Sequence, residues 1–429
     1  MPVNYSIRNG RVIDPANDID RITDLYIADG KMLAIDQEPP GFEADLVIDA
    51  KDKLVCPGFV DLWGRLQEPR LHDKTTLSSE IQAAVSTGIT TICSPPDRAP
   101  ITDTPAVVEV IQRCAEESHK VQILPIGALT KKLEGQQISE MAALKASGCR
   151  VLSNARLPIT NTLVLRRAME YAASHDLTLF LHPEDHWLAN EGVMHEGEVS
   201  TRLGLPGIPD AAECIAVARD LALVDQTGVK AHFCHISSHK SLKLIMDAQS
   251  RGMPITASVT LNHCFLTDVD CVEFNSNCHV QPPFRTKLDR DALREALLSG
   301  VIQAISSDHH PMAEEEKAVP FQASTPGVST YDGFLPLLLT LAEGSAKNLR
   351  QVIAAVTCNP AKILNLKTGS LSLGMDANLN IINPNRQWTL IHETAVSKGL
   401  NNPHLSQSMT GQIDYTLFQG RIVFSRKPS

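Results

Sequence analysis

The chain has 429 residues and a formal net charge of −10; 43% of its residues are hydrophobic and only 4% aromatic. Such a composition supports a large core. An acidic surface repels phosphate backbones, sparse aromatics leave few base-stacking platforms, and no run of about 18 apolar residues occurs, so neither nucleic acid nor a membrane is an expected partner.

Residues 3–55 read as short strands and turns: VNYSIRNGRVID, TDLYIADGKMLAID and ADLVIDA. The pairs Asn9-Gly10 and Asp29-Gly30 are hairpin signals. From Pro57 the pattern changes. Short apolar runs alternate with helical stretches: FVDLW (59–63), ITTIC (89–93), VQILPI (121–126), CRVLS (149–153), LTLFLH (177–182), KAHFCH (230–235), PITASV (254–259) and VIQAIS (301–306). Helical segments lie between most of them, among them SSEIQAAVS (78–86), TLVLRRAMEYAAS (162–174) and KSLKLIMDAQS (240–250). Eight strands with intervening helices are the signature of a (β/α)8 TIM-type barrel.

Strand character returns in ANLNIIN (377–383), DYTLF (414–418) and GRIVFS (420–425). The simplest arrangement joins both ends of the chain. The expected fold is therefore α/β, a barrel over 56–368 with a small β-sandwich domain formed from both termini, 1–55 and 369–429. The long connections at 186–208 and 309–330 follow barrel strands and are the pieces expected to be flexible. Both fall on the face where such barrels keep their active sites.

The ten cysteines form no CxxC pair and read as small buried hydrophobes in a reducing compartment. The start, MPVNYSIRNGRVIDPAND, has no basic segment followed by an apolar run. A cytoplasmic location is expected.

Three metal-type residues sit at the C-terminal ends of different strands: His182, His235 and Asp308. A lone histidine there is usually structural, but three at equivalent places point to a site or the remains of one. HHP (309–311) reads as loop, AEEEK (313–317) as a solvated face, and KTGS (367–370) lacks the glycine-rich lead of a phosphate loop.

CPGFVDL (56–62), HPED (182–185), EGEVSTRLGLPGIPDAAECIAVARDLAL (196–223), CHISSHKSLKLI (234–245), PPFRT (282–286), SSDHHP (306–311) and NPAKILNL (359–366) together resemble dihydroorotases of the amidohydrolase superfamily. The resemblance spans essentially the whole chain. It implies a barrel with a zinc site, flanked by a small β-domain, that closes carbamoyl-aspartate to dihydroorotate. In that family a His-x-His pair after the first strand binds metal, because alternate residues of an extended strand point the same way. Here Trp63 and Arg65 take those places. Trp offers only an N–H donor and Arg has no lone pair, so neither ligates zinc.

Further departures follow. The acidic or modified residue that bridges two metals is replaced within SNAR, where Asn154 and Ala155 occupy the candidate places. The substrate-binding Arg is Gln67, an Asn before Pro-Pro is Gln281, a His closing the family's DHAPH run is Met312, and SPPDRAP (94–100) stands in for an Asn-Thr-Asn loop. Charge balance then pairs Arg65 with Asp308. The remnants His182, His235 and Asp308 would hold at most one zinc at low occupancy, and no cofactor is expected.

What the resemblance implies is a dihydroorotase-like pseudoenzyme of pyrimidine biosynthesis. It is closest to the degenerate subunit that assembles with the catalytic chain of aspartate carbamoyltransferase, as a homo- or hetero-oligomer. Two alternatives are an active single-zinc cyclic-amide hydrolase of dihydroorotase or dihydropyrimidinase/hydantoinase type, and a pseudoenzyme sensing a pyrimidine intermediate.

Overall fold

The computed structural model describes residues 3–66 and 78–426. All eight expected barrel strands are present: β1 (Phe59–Asp61), β2 (Ile89–Ser94), β3 (Gln122–Pro125, continued at Gly127–Ala128), β4 (Val151–Ser153), β5 (Thr178–Leu181), β6 (Lys230–Phe233), β7 (Ile255–Thr260) and β8 (Ala304–Ser306). Every pairing around the ring is parallel. The ring closes between β8 and β1 through a parallel bridge from Gly64 to His309, with the Arg65 N–H donating to the His309 carbonyl at 2.9 Å.

Side chains alternate across each strand. Val60, Cys93, Ala128, Val151, Phe180, Cys234 and Ala304 pack with Trp63 inside the barrel. Phe59, Ile92, Leu152, Leu179, Leu181, Phe233 and Ile305 join a second cluster with the surrounding helices. The helix Thr162–Ser174 shows how the sequence supplies that shell. It buries Leu165, Ala168, Met169 and Ala172, spaced for one face, and Asn161 caps its start by accepting from the N–H groups of Leu163 and Val164. Such a cap contributes about 1 kcal/mol.

The β-domain from both termini is also present. Its eight strands form one hydrogen-bonded sheet with its own core. The sheet branches at Tyr5–Asp14, which pairs with Ile19–Ala28, Leu46–Asp49 and Leu54–Pro57. Leu54–Pro57 in turn pairs with Leu379–Thr389 from the far end of the chain. Asp14 strengthens the junction by accepting from the Leu371 N–H at 2.7 Å.

Asp29-Gly30 makes the expected hairpin turn between Ile19–Ala28 and Lys31–Ile35. Asn9-Gly10 does not turn the chain. It forms a bulge inside Tyr5–Asp14, with Asn9 at φ 63° and the register shifting between Ile7 and Gly10. The physical reason is packing. A Cβ at Gly10 would lie 2.7 Å from Val55 Cγ2, so glycine here admits the neighbouring strand.

The two long connections are built, not loose. Met194–His195 pairs with Gly207–Ile208, and Met194, Val199, Phe284, Phe321 and Val328 share one buried cluster that joins both connections. Lys317 of the AEEEK run is buried rather than solvated, its ammonium donating to the carbonyls of Ser276 and His279. Among the described residues, no helix is long and apolar enough to cross a membrane.

Candidate functional site at the barrel mouth

The ends of β4, β5, β6 and β8 converge on one point. His182 follows Leu181 directly. His235, Asp308 and Ala155 lie just beyond β6, β8 and β4, each in the left-handed region with φ of 56°, 48° and 51°. Left-handed backbone costs a non-glycine residue on the order of 1 kcal/mol, and three such residues at one barrel mouth mark a constrained site.

The structure brings His182, His235 and Asp308 together, with the two imidazole centroids 5.0 Å apart. It also brings in a residue that strand-end reasoning did not select. Arg156 sits one position beyond Ala155, and its Nη2 donates to Asp308 Oδ2 at 2.5 Å while lying 3.3 Å from Nδ1 of His235. The Arg156 and Asp308 side chains are only 12% and 10% exposed, so the ion pair is largely withdrawn from solvent.

Arg65 pairs with Asp308 as expected, but only as a longer ion pair. Its Nη1 stands 3.8 Å from Asp308 Oδ1, beyond hydrogen-bond reach, and its short bond runs from Nη2 to Asp97 Oδ2 at 2.6 Å. Asp97 comes from SPPDRAP, whose part in the pocket was not legible in the sequence. The cause of the longer contact lies at Ala155. Its left-handed turn sends the following Arg156 toward Asp308, which leaves Arg65 to the loop after β2.

Trp63 occupies the first His-x-His place as a fully buried ring, 4.3 Å from the His182 centroid. Arg65 lies 6.0 Å from the Trp63 ring centroid, within cation–π range. Asn154 is turned away from the cavity. Its carbonyl accepts from Thr130 Oγ1 at 2.5 Å, and its amide donates to the carbonyls of Leu133 and Leu157. Gln281 donates to Glu184 Oε1 at 2.8 Å. Met312 is buried with its N–H held by Asn401 Oδ1 at 2.9 Å. Gln67 lies outside the described residues.

Burial pushes the imidazoles of His182 and His235 well below the usual range, and the nearby Arg156 and Arg65 charges push further in the same direction. Both rings are therefore neutral at physiological pH. Among the described residues, neither ring nitrogen of His182 has a hydrogen-bond partner, nor has Nε2 of His235. A small cleft of ≈ 20 Å³ opens beside them, lined by Arg156, His182, Glu184, Glu213, His235 and Gln281. Burial raises the Glu184 carboxyl.

The frame around the cleft is intact. Glu213, from the 196–223 run, accepts from the N–H groups of Ser237 and Ser238, with the Arg285 guanidinium 3.8 Å away. Asp61 accepts from the Ser307 N–H at 2.9 Å and from the Tyr331 hydroxyl at 3.2 Å, joining β1 to β8.

The match to known proteins agrees with this frame. A family profile described as dihydro-orotase-like matches residues 52–241. A protein of Pseudomonas aeruginosa named dihydroorotase-like protein is 43% identical over 420 residues, covering 98% of this chain and 99% of its own. A protein of Syntrophus aciditrophicus named dihydroorotase is 38% identical, covering 97% of this chain and 98% of its own. The chain belongs to the dihydroorotase-like family. Among solved structures, the L-hydantoinase (dihydropyrimidinase) of Arthrobacter aurescens superposes with a TM-score of 0.85 at 21% identity, over 99% of this chain and 96% of its own. That likeness shows the fold alone, a barrel flanked by a β-domain.

The family's zinc does not fit the residues present in this member. Among the described residues, no three His, Cys, Asp or Glu side chains are arranged to hold a metal ion. The carboxylate that remains is engaged by one guanidinium and faced by another, and the same Arg156 nitrogen contacts a remaining imidazole. A guanidinium carries donors and a fixed positive charge, so it opposes the ion that these groups would otherwise ligate.

Proposed function

We propose that this chain is a non-catalytic member of the dihydroorotase-like family, acting in pyrimidine biosynthesis as an assembly or structural partner of the aspartate carbamoyltransferase catalytic chain. One observation carries the reading. The Arg156 guanidinium lies between Asp308 and His235, at 2.5 and 3.3 Å, where the chemistry of the family needs a metal cation. A bound metal lowers the pKa of a nucleophilic water toward neutrality, and a guanidinium is no Lewis acid that could take over that task.

The losses are joint. Trp63 and Arg65 replace the metal pair, Asn154 is committed to its own loop, and Gln281 is bonded to Glu184. The body of the barrel keeps its core and its helical exterior, which are the surfaces an assembly partner would use. On this reading the protein is a cytoplasmic homo- or hetero-oligomer that works without a cofactor.

The test has two arms. Protein purified without added metal is analysed for zinc and assayed with dihydroorotate, dihydropyrimidines and hydantoins. It is also co-expressed with the carbamoyltransferase chain from the same genome. The expected result is no stoichiometric zinc, no turnover, and co-purification in a complex whose carbamoyltransferase activity or assembly requires this chain. Stoichiometric zinc with turnover of any of these cyclic amides overturns the proposal in favour of a single-metal hydrolase. Failure to associate removes the assembly role.

A further inference from the structure

A second cavity opens at the other end of the barrel, away from the mouth. It lies at the N-terminal ends of β4, β5 and β6 and has a volume of ≈ 310 Å³. Lys145 on the helix Met141–Ala146, Arg150 just before β4, and Lys230 at the start of β6 bring three cations to its walls. Asp176 is the one carboxylate among the lining residues. In a chain of net charge −10 this is a local excess of positive charge.

The cations are held around this space and are not paired off. Lys145 donates to the His175 carbonyl, and Arg150 donates from Nη1 to the Asn365 carbonyl at 3.3 Å, across the barrel floor. Neither has a carboxylate partner among the described residues. Arg150 therefore keeps most of its donor fork free. Lys230 bonds Asp176 at 2.7 Å, but those side chains are 59% and 72% exposed, so the pair contributes little and opens readily. Lys230, and after it Lys145, hold the Asp176 carboxyl below its usual range, which places both ammonium groups around the same edge of the cavity.

We infer that this cavity is a binding site for a small organic phosphate. Three cations less one carboxylate leave two positive charges, which match a phosphate monoester near neutral pH. Arg150 offers a planar fork to two phosphate oxygens, and the lysines offer point charges to the others. Leu177, Ile363 and Leu364 supply an apolar wall for the carbon skeleton. The volume falls within the range of small-molecule sites, and a bare phosphate ion would leave most of it unfilled. Thr178 begins β5 and His182 follows its last residue, roughly 13 Å along the strand. Phosphate binding here is thus independent of the chemistry at the mouth.

The full chain is titrated calorimetrically with ribose 5-phosphate and glycerol 3-phosphate, with ribose and sulfate as comparators. At least one phosphate ester should saturate at about one per chain, with affinity falling as ionic strength rises. Ribose should not bind, and sulfate should bind more weakly than the ester. Arg150→Met should weaken the ester about tenfold, and so should Lys145→Met/Lys230→Met. Asp176→Asn should tighten it several-fold by removing the one like charge, a gain that local damage to the fold would not produce. Arg21→Met, exposed in the β-domain, should bind as wild type does. Absence of saturable binding by both esters overturns the inference. So does sulfate binding as tightly as the ester, which would mean an adventitious ion only. Unchanged affinity in R150M, weaker binding in D176N, or an equal loss in R21M overturns it as well.

Discussion

Nε2 of His309 lies 2.9 Å from Oε2 of Glu80, and neither side chain has any exposed surface. Nδ1 of the same ring accepts from the Thr330 N–H at 3.0 Å, so Nε2 carries the proton and donates to Glu80. The ring stacks on Tyr331 at 3.8 Å, and Glu80 also accepts from Ser397 Oγ and the Lys398 N–H. One buried carboxylate thereby ties the helix Ser78–Ser86 to the loop after β8 and to the segment that leads into the last strands. HHP, expected to be plain loop, contributes a structural pin.

Replacing Glu80 with Ala should therefore cost about 3 kcal/mol or more, since it strands a buried imidazole N–H and two further donors. Glu80→Gln, which keeps an acceptor, should cost less. Chemical denaturation of both variants checks the order. Equal stability of E80A and wild type would show that the network contributes nothing.

Trp63 is a second packing test. Truncation to Ala removes a ring sealed among Val60, Phe180, Cys234 and the two remnant histidines, so a loss of about 3–5 kcal/mol is expected. The chain has three tryptophans, and Trp187 is 78% exposed. Iodide should quench the Trp187 emission and spare that of Trp63. Trp63→Ala should delete a blue-shifted component that iodide does not reach.

Restoring the lost ligands alone should not restore chemistry. In a Trp63→His/Arg65→His/Asn154→Asp variant, Arg156 still occupies Asp308 and contacts His235. The residue at 154 still faces the loop of Thr130, Leu133 and Leu157. Dihydroorotate turnover should stay at background. Substantial turnover would show that the barrel mouth is less committed to its arginines than the geometry implies.

Acid sensitivity follows from the buried imidazoles. Burial pushes His232 down to about 3, and His263 and His279 to about 4. In the unfolded chain these rings titrate near ~6.5. Between those values the unfolded chain binds more protons, so their contribution is complete above about pH 6.5 and is lost as the pH falls toward 4. At pH 5 the loss from His263 or His279 is about 2 kcal/mol each.

Buried carboxylates act with the opposite sign, Asp61, Glu184 and Asp268 among them. Asp220 and Asp332 are raised by burial to about 6, so the folded chain binds their protons first and regains some stability below that pH. With His182 and His235 also pushed well down, their larger shifts leave the imidazoles dominant. Stability measured by denaturation should fall from pH 7 to pH 5. His232→Gln, which preserves hydrogen-bonding capacity toward Thr256 and Ser258, should flatten that fall. A profile unchanged in slope would remove His232 from the account.

How much of this was written in the sequence differs by level. Each barrel strand coincides with an apolar run because a strand buried on both sides has to be apolar, and that demand shows in composition. Helices such as Thr162–Ser174 were legible to the residue because Asn161 and the 3.6-residue spacing mark both boundary and face. His182, His235 and Asp308 were visible because strand ends aim side chains in known directions. Arg156 was not, since its direction depends on the left-handed turn at Ala155, and nothing about an alanine announces that conformation. The second partner of Arg65 was missed for the same kind of reason: Asp97 sits in an irregular loop whose path no periodicity describes. Asn9-Gly10 carried a genuine turn signal, overruled by a neighbouring strand that needs a residue without Cβ.

The branched sheet has a consequence for the order in which the molecule is made. Leu54–Pro57 leaves the ribosome long before its antiparallel neighbour Leu379–Thr389. Until then the nascent chain carries an open strand edge beside a barrel that is still being completed. Exposed edges invite pairing with other chains, so the interval before release is when this protein is most in need of shielding by chaperones.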